Sequence, residues 1–302
     1  MESGKHNHHH ELGHHHSGDV EALGSAFLLN LIFTLIEIAG GFWTNSVAIL
    51  ADALHDAGDS LGLLLAWYLQ KASGKERDQR FSYGYGRLSL LAALINGVVL
   101  LAGSIVVIVH VIPRLFEPQI VDATGMLWLA MLGIAFNGFA FWRNRSSQSL
   151  NAKMVNWHLL EDVLGWTVVL GGSIVMHFGD YPWLDPLMAL GVTLFILWNV
   201  IKSLGRVIKI FLQSNPEGVD LSAIERELRT LQNVEDIHDV HAWSLDGNYH
   251  VLSLHVVISQ IPDPETLVLL KTQIREQTKK MGLDHATIEI ELPSEACVLE
   301  NC

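Results

Sequence analysis

Six long apolar stretches, at roughly 23–43, 46–69, 88–112, 123–142, 154–178 and 184–204, fill the first two thirds of the chain and are separated by short polar links. An α-helix needs about 20 largely apolar residues to cross the hydrocarbon core of a bilayer, so the pattern predicts six membrane-spanning helices. The links alternate in charge. Lys71, Lys75, Arg77, Arg80 and Arg87 lie between the second and third stretches, Arg143, Arg145 and Lys153 between the fourth and fifth, and Lys202, Arg206 and Lys209 follow the sixth. The other links hold only Arg114. The positive-inside bias therefore places the basic links and both termini in the cytoplasm.

Beyond Lys209 the pattern becomes that of a small soluble domain. Val219, Leu221, Ile224, Leu228 and Leu231 recur at helical spacing after Pro216, which predicts an amphipathic helix. Alternation through Glu235–Leu245, the turn Asp246-Gly247-Asn248 and renewed alternation over Tyr249–Ile258 predict a hairpin. A helix over Pro264–Met281 and a strand over His285–Leu292, with Ile288, Ile290 and Leu292 on one face, complete an α-β-β-α-β order. Two helices can then cover one face of a small sheet. The expected organisation is a His-rich cytoplasmic tail (1–20), a six-helix transmembrane domain (21–208), a cytoplasmic α-β-β-α-β domain (209–294) and a C-terminal tail with two Cys (295–302).

Composition supports this reading. Half of the 302 residues are hydrophobic and 17% are charged, outside the usual range for a soluble enzyme. A net charge of −13 leaves no basic face for nucleic acid, so none is expected as a partner. The polar segment Met1–Asp19 leads into the first apolar stretch with no small-residue cleavage site, so that helix is expected to stay in the lipid bilayer. His6, His8 to His10 and His14 to His16 form an interrupted tract that fits a metal-catching tail.

The second stretch contains Asp52, His55, Asp56 and Asp59, which at 100° per residue fall within about a third of the helix circumference. One such group at the bilayer centre costs about 2.5–3.5 kcal/mol, so the cluster must face protein, water or an ion. The fifth stretch repeats the spacing with His158 and Asp162, again neighbours on one helix face. Together His55, Asp59, His158 and Asp162 supply two imidazoles and two carboxylates, a donor set suited to tetrahedral Zn²⁺ and open to Cd²⁺ or Co²⁺. Two ionised Asp with two neutral His offset one divalent charge, and metal and protons should compete for the site. A packing role suits a lone His or Asp, but not matched pairs on two spans. Asp52, Asp56 and Glu161 are candidate pathway, proton-relay or orienting groups. Asn30 and Glu37 share a face of the first helix and fit either the route or an inter-helix bond.

An intramembrane metalloenzyme would use similar ligands. The one His-Glu-x-x-His, His10 to His14, lies in the His-rich tail and none lies within the six apolar stretches; four protein ligands also leave no open position for a substrate, so an enzyme is not expected. A passive channel or a membrane metal sensor fits less well, because a tight binding site slows conduction.

These residues, with Phe81-Ser82-Tyr83-Gly84-Tyr85-Gly86-Arg87 and His238-Asp239-Val240-His241-Ala242-Trp243-Ser244-Leu245, resemble the cation diffusion facilitator family from about Leu23 to Pro293. The resemblance implies a homodimer that exports Zn²⁺ from the cytoplasm in exchange for protons by alternating access; the short tail and compact loops suggest a bacterial inner membrane. His55, Asp59, His158 and Asp162 would form its transport site. Some relatives carry a further metal site around the Gly-x-Gly loop; Phe81 and Tyr85 stand at those positions here, so it is not expected. The resemblance also implies a ferredoxin-like, metallochaperone-like cytoplasmic fold that binds metal. By motif match its ligands are His238 and His255 with Glu289 or Glu291, and His285 as a further candidate. On hairpin strands such His residues are as often cross-strand or solvated; His241 and Trp243 read first as packing residues. Cys297 and Cys302 fit either a thiolate site with the His-rich tail or a reduced terminus.

Overall fold

Helices α1 (His16–Thr44), α2 (Val47–Ser73), α3 (Arg87–Phe116), α4 (Ala123–Asn144), α5 (Leu150–Phe178) and α6 (Leu184–Phe211) follow the six apolar stretches. The computed structural model describes residues 16–73, 77–144, 150–292 and 295. The chain divides into two units, one built from the segment ending at Ala72 with Ala92–Leu204, the other from Ser73–Leu91 with the segment from Gly205 onward.

Among the described residues, five helices are long and apolar enough to cross a membrane, with windows at Phe27–Thr44, Arg87–Phe116, Ala123–Arg143, His158–Phe178 and Leu184–Phe211. The remaining one, α2, is 27 residues long and falls short only in composition, because Asp52, Asp56 and Asp59 interrupt it. Several helices outrun their apolar stretches at polar ends, α6 reaching Phe211 and α5 starting at Leu150. Hydropathy marks the part of a helix that lipid can cover, whereas its hydrogen-bond ladder continues to the next stop signal.

The turn from α1 to α2 is held from three directions. Asn45 takes a left-handed conformation at φ 56°, which Asn tolerates. Arg114 donates to the Asn45 carbonyl at 2.9 Å and to its side-chain oxygen at 3.1 Å. Asp185, fully buried on α6, accepts from Ser46 Oγ at 2.5 Å, Val47 N at 2.9 Å and Ala48 N at 3.2 Å. It thus caps the start of α2 from another helix, satisfying N–H groups that have no partner within α2.

Phe33, Ile49, Met126, Ala130, Trp166 and Val169 are core residues of the helical unit. The Phe33 ring stacks on Phe136 with centroids 4.7 Å apart. Gly133 lets the Trp166 indole lie against the backbone of α4, since a Cβ there would collide with the ring.

In the second unit the order is α7 (Leu221–Leu228), β1 (Val234–Ser244), β2 (His250–Ile258), α8 (Pro264–Lys280) and β3 (His285–Glu291). The strands lie in the order β1-β2-β3, β1 antiparallel and β3 parallel to β2. Leu252, Leu254, Val256 and Ile258 join Ile224 and Leu228 of α7 and Leu270 and Ile274 of α8 in one core. Both helices therefore cover the same face, leaving Ser253, His255 and Val257 on the other. The first helix is shorter than its apolar repeat because Asp220 caps it, accepting from Ala223 N at 3.2 Å, and Leu231 falls beyond its end. Asp263 caps α8 through Thr266 and Glu265, bonds that hold its carboxyl below the usual range, those to Thr266 most of all. Leu292 lies outside β3 and is exposed, so the third apolar position expected on that strand does not join the core. Asp246 accepts from Asn248 N and Tyr249 N at 2.9 and 2.8 Å, and Gly247 supplies the positive φ that closes the hairpin.

Replacing Asp185 with Ala strands the N–H groups at the head of α2. We expect a loss of about 1–3 kcal/mol, read as a lower melting temperature of the detergent-solubilised protein, with Asp185→Asn intermediate because one amide oxygen still accepts.

Candidate metal sites

His55 and Asp59 sit one helical turn apart on α2, as do His158 and Asp162 on α5, so each helix aims an imidazole and a carboxylate the same way. The structure brings the two pairs together. Asp59 Oδ2 lies 3.4 Å from His55 Nε2 and 3.3 Å from His158 Nε2, and His158 Nε2 lies 3.7 Å from Asp162 Oδ2. One ligand atom from each of His55, His158 and Asp162 falls within 4.8 Å of the others, as does one from each of His55, Asp56 and Asp59. Four ligands bonded tetrahedrally to Zn²⁺ at 2.0–2.2 Å stand roughly 3.3–3.6 Å apart. The three contacts that link the four residues, at 3.3–3.7 Å, are close to that spacing. Asp59 Oδ2 and Asp162 Oδ2 are buried without a hydrogen-bond donor, an arrangement that costs free energy unless a cation or proton compensates it.

The flanking candidates divide. Asp52 and Asp56 are buried, and Glu37 of α1 is 1% exposed with its carboxyl group beside that of Asp56. Asn30 donates to the Asp56 carbonyl at 3.1 Å and to Ser60 Oγ at 3.0 Å, which makes it an inter-helix tie. Glu161 is exposed, turned away from the cluster by one residue's rotation about α5.

The second unit holds another cluster on the sheet face left open by its helices. His238 pairs with His255 across β1 and β2, and His255 with Glu289 across β2 and β3, so the strand register lines up three candidate ligands. Glu291 stands two residues further along and bridges both imidazoles, 2.6 Å from His255 Nδ1 and 3.3 Å from His238 Nε2. Glu289, mostly exposed, lies 3.5 Å from His255 Nε2. His238, His255 and Glu291 each offer a ligand atom within a 4.8 Å sphere of separation.

Three features depart from the sequence reading. His285 pairs with Val251, four residues down β3 from Glu289 and so about 13 Å away along the strand; its ring meets Tyr83 instead, at 6.2 Å. His241 is not a packing residue, since its side chain is 49% exposed and bonds Asp239 Oδ1 at 2.7 Å. Asp239 itself escaped notice. A register irregularity between His238 and His241, with Asp239 at φ 49°, accompanies a carboxylate placed 3.5 Å from His255 Nε2. Strict alternation gives no warning of such a bulge. Trp243 is half-buried. Cys297, Cys302 and His6, His8 to His10, His14 and His15 lie outside the described residues.

Long apolar helices, a buried His/Asp cluster among them and a separate α+β unit with its own His/carboxylate cluster define a multi-pass membrane protein built around divalent-cation chemistry. Residues 24–212 match the family profile described as "Cation efflux transmembrane domain", and residues 216–292 match "Cation efflux protein, cytoplasmic domain". The chain belongs to the cation efflux family, also called the cation diffusion facilitators. It is 31% identical over 290 residues to the "Cadmium, cobalt and zinc/H(+)-K(+) antiporter" of Bacillus subtilis (strain 168), covering 93% of this chain and 92% of that one. It is 30% identical to the "Metal cation efflux system protein CzcD" of Cupriavidus metallidurans, covering 93% and 90%. With the "Zinc transporter ZitB" of Escherichia coli (strain K12) it shares 28% identity, covering 95% and 92%. Among solved structures, the "Metal-bound C-terminal domain of the CzcD transporter" is similar at 33% identity over 24% of this chain and 100% of that chain, with a TM-score of 0.21.

Proposed function

We propose that this protein is a secondary active exporter of Zn²⁺, with Cd²⁺ and Co²⁺ as further cargo, that exchanges metal for protons by alternating access. The observation that carries this reading is the run of contacts from His55 to Asp59, Asp59 to His158 and His158 to Asp162, each 3.3–3.7 Å, which links the pairs on two helices. The relatives named for cadmium, cobalt and zinc antiport and for zinc transport support it. In this reading the four side chains bind the cargo, while Asp52, Asp56 and Glu37 line the buried approach. Two carboxylates and two neutral imidazoles cancel the charge of a divalent ion, and protons compete with metal for the same lone pairs. Charge balance in the membrane interior thus favours exchange over simple leakage.

For the cytoplasmic unit we propose a second, resident metal site at His238, His255, Glu291 and Glu289, with Asp239 as an additional ligand or orienting group. The profile matched by that unit belongs to a cytoplasmic domain of this family and supports a homodimer; within the proposed bacterial inner membrane, cytoplasmic placement of both termini fits the charge pattern of the links.

In proteoliposomes, Asp59→Ala or Asp162→Ala should abolish Zn²⁺ flux while the purified protein keeps its helical content and monodispersity; wild-type flux in either variant removes that residue from the site. Zinc entry should move protons the other way and depend on the pH gradient, so flux with no pH response and no gradient dependence defeats the proposed coupling. Metal analysis of the purified full-length protein separates the two clusters. His255→Ala with Glu291→Ala should lose metal that Asp162→Ala retains, and an unchanged zinc content after the double substitution counts against the cytoplasmic site.

A further inference from the structure

His55 turns Nε2 towards Asp59 at 3.4 Å, which leaves Nδ1 on the other side of the ring. That nitrogen is buried and makes no hydrogen bond to the protein. His55 also lines a small cavity between α2, α3 and α6, with Leu100, Ser104, Val107, Thr193 and Ile196 among its walls. Two of those walls are hydroxyl groups, and both residues are buried, Ser104 at 6% exposure and Thr193 at 3%. The cavity volume is about 10 Å³, close to the least that admits one water molecule.

We propose that Ser104 and Thr193 are positioning residues for His55, acting through a single water in this cavity. The inference rests on the reading of His55 as a cargo ligand through Nε2. A neutral imidazole that offers the Nε2 lone pair to a cation carries its hydrogen on Nδ1, and that hydrogen needs an acceptor. Thr193 spends its own hydroxyl hydrogen on the Ala189 carbonyl, 2.7 Å away, so towards the cavity it offers lone pairs only. A water that accepts from His55 Nδ1 and donates to Thr193 Oγ1 and Ser104 Oγ makes three hydrogen bonds, the usual number for a buried water. Leu100, Val107 and Ile196 leave it no other polar neighbour among the named walls. The result is an imidazole fixed in both tautomer and angle, so that Nε2 meets the ion already aimed.

The test uses the full-length protein. Thr193→Val keeps the side-chain shape and removes the acceptor, and Ser104→Ala is a smaller change that serves if the first variant is unstable. Loss of a partner of this kind weakens metal affinity about 10–100-fold. We expect Thr193→Val to raise the Zn²⁺ half-saturation of proteoliposome flux by at least about tenfold, to change the maximal rate far less, and to be rescued by Thr193→Ser. In ¹⁵N-histidine spectra recorded without metal, the His55 signals, assigned by their loss in His55→Asn, should show Nδ1 protonated in the wild type and a tautomer mixture in Thr193→Val. Wild-type half-saturation together with unchanged His55 signals in both variants overturns the proposal. Failure of Thr193→Ser to rescue does so as well, because it leaves only a packing role. A wild-type protein that neither binds nor moves Zn²⁺ defeats the cargo reading instead, and the spectra still decide the positioning.

Discussion

A carboxylate inside a lipid-spanning helix persists only if protein, water or a counter-ion surrounds it, and α2 carries three of them within eight residues, Asp52, Asp56 and Asp59. Each such group costs a few kcal/mol at the bilayer centre, roughly 2.5–3.5 on insertion scales. This demand organises the helical unit. Alone among the six long helices, α2 fails the composition expected of a membrane span, and its ionisable face is the one that its neighbours address. Helix α1 gives Asn30 and Glu37, and α5 gives His158 and Asp162. Large apolar side chains such as Leu28, Ile105, Phe139 and Trp198 stay exposed on α1, α3, α4 and α6, where lipid rather than protein supplies their apolar surroundings.

The two clusters use the same donor chemistry but are assembled by different periodicities. In the helical unit, each His reaches its Asp four residues later on the same face, so half of every contact is local and visible in the sequence. In the α+β unit, the contacts run across strands, and the register decides them. His238, His255 and Glu289 could be named from the motif. Their alignment across β1, β2 and β3 rests on pairings 17 and 34 residues apart in the chain. The irregularity at Asp239 and the distance of His285 follow from that register, which alternation of polar and apolar residues does not encode.

Legibility divides elsewhere along the same line. The six helices and the α-β-β-α-β order were readable because period and length are local properties, and the turn at Asp246-Gly247-Asn248 was readable because its chemistry lies within the turn itself. Helix ends were less so: α7 stops at Leu228, before Leu231, and α6 runs on to Phe211. Asp185 was not legible at all. Beside Leu184 and Pro186 it looks like the polar flank of a span, and its role depends on Ser46, Val47 and Ala48, which are almost 140 residues earlier. The Ser104–Thr193 pair was hidden for the same reason, since each hydroxyl alone is an ordinary occupant of a membrane helix.

Within the cargo site, the contacts are of two kinds with different mechanical consequences. His55–Asp59 and His158–Asp162 are spaced by helix geometry and survive any rigid movement of α2 or α5. The contact between Asp59 and His158, at 3.3 Å, belongs to neither helix and measures their separation directly. Metal–ligand distances tolerate deviations of only about 0.2 Å, so a relative helix displacement on the order of 1 Å is enough to open the tetrahedron while leaving both half-sites intact. On the transport reading, affinity for the ion is therefore switched by how α5 sits against α2, with no need to unfold either helix. The cap from Asp185 gives that displacement a fixed reference, since it ties the first turn of α2 to α6 through three hydrogen bonds. On that reading α2 and α6 share one frame, which holds His55 and Asp59, and the other two ligands sit on α5, a helix packed chiefly against α4.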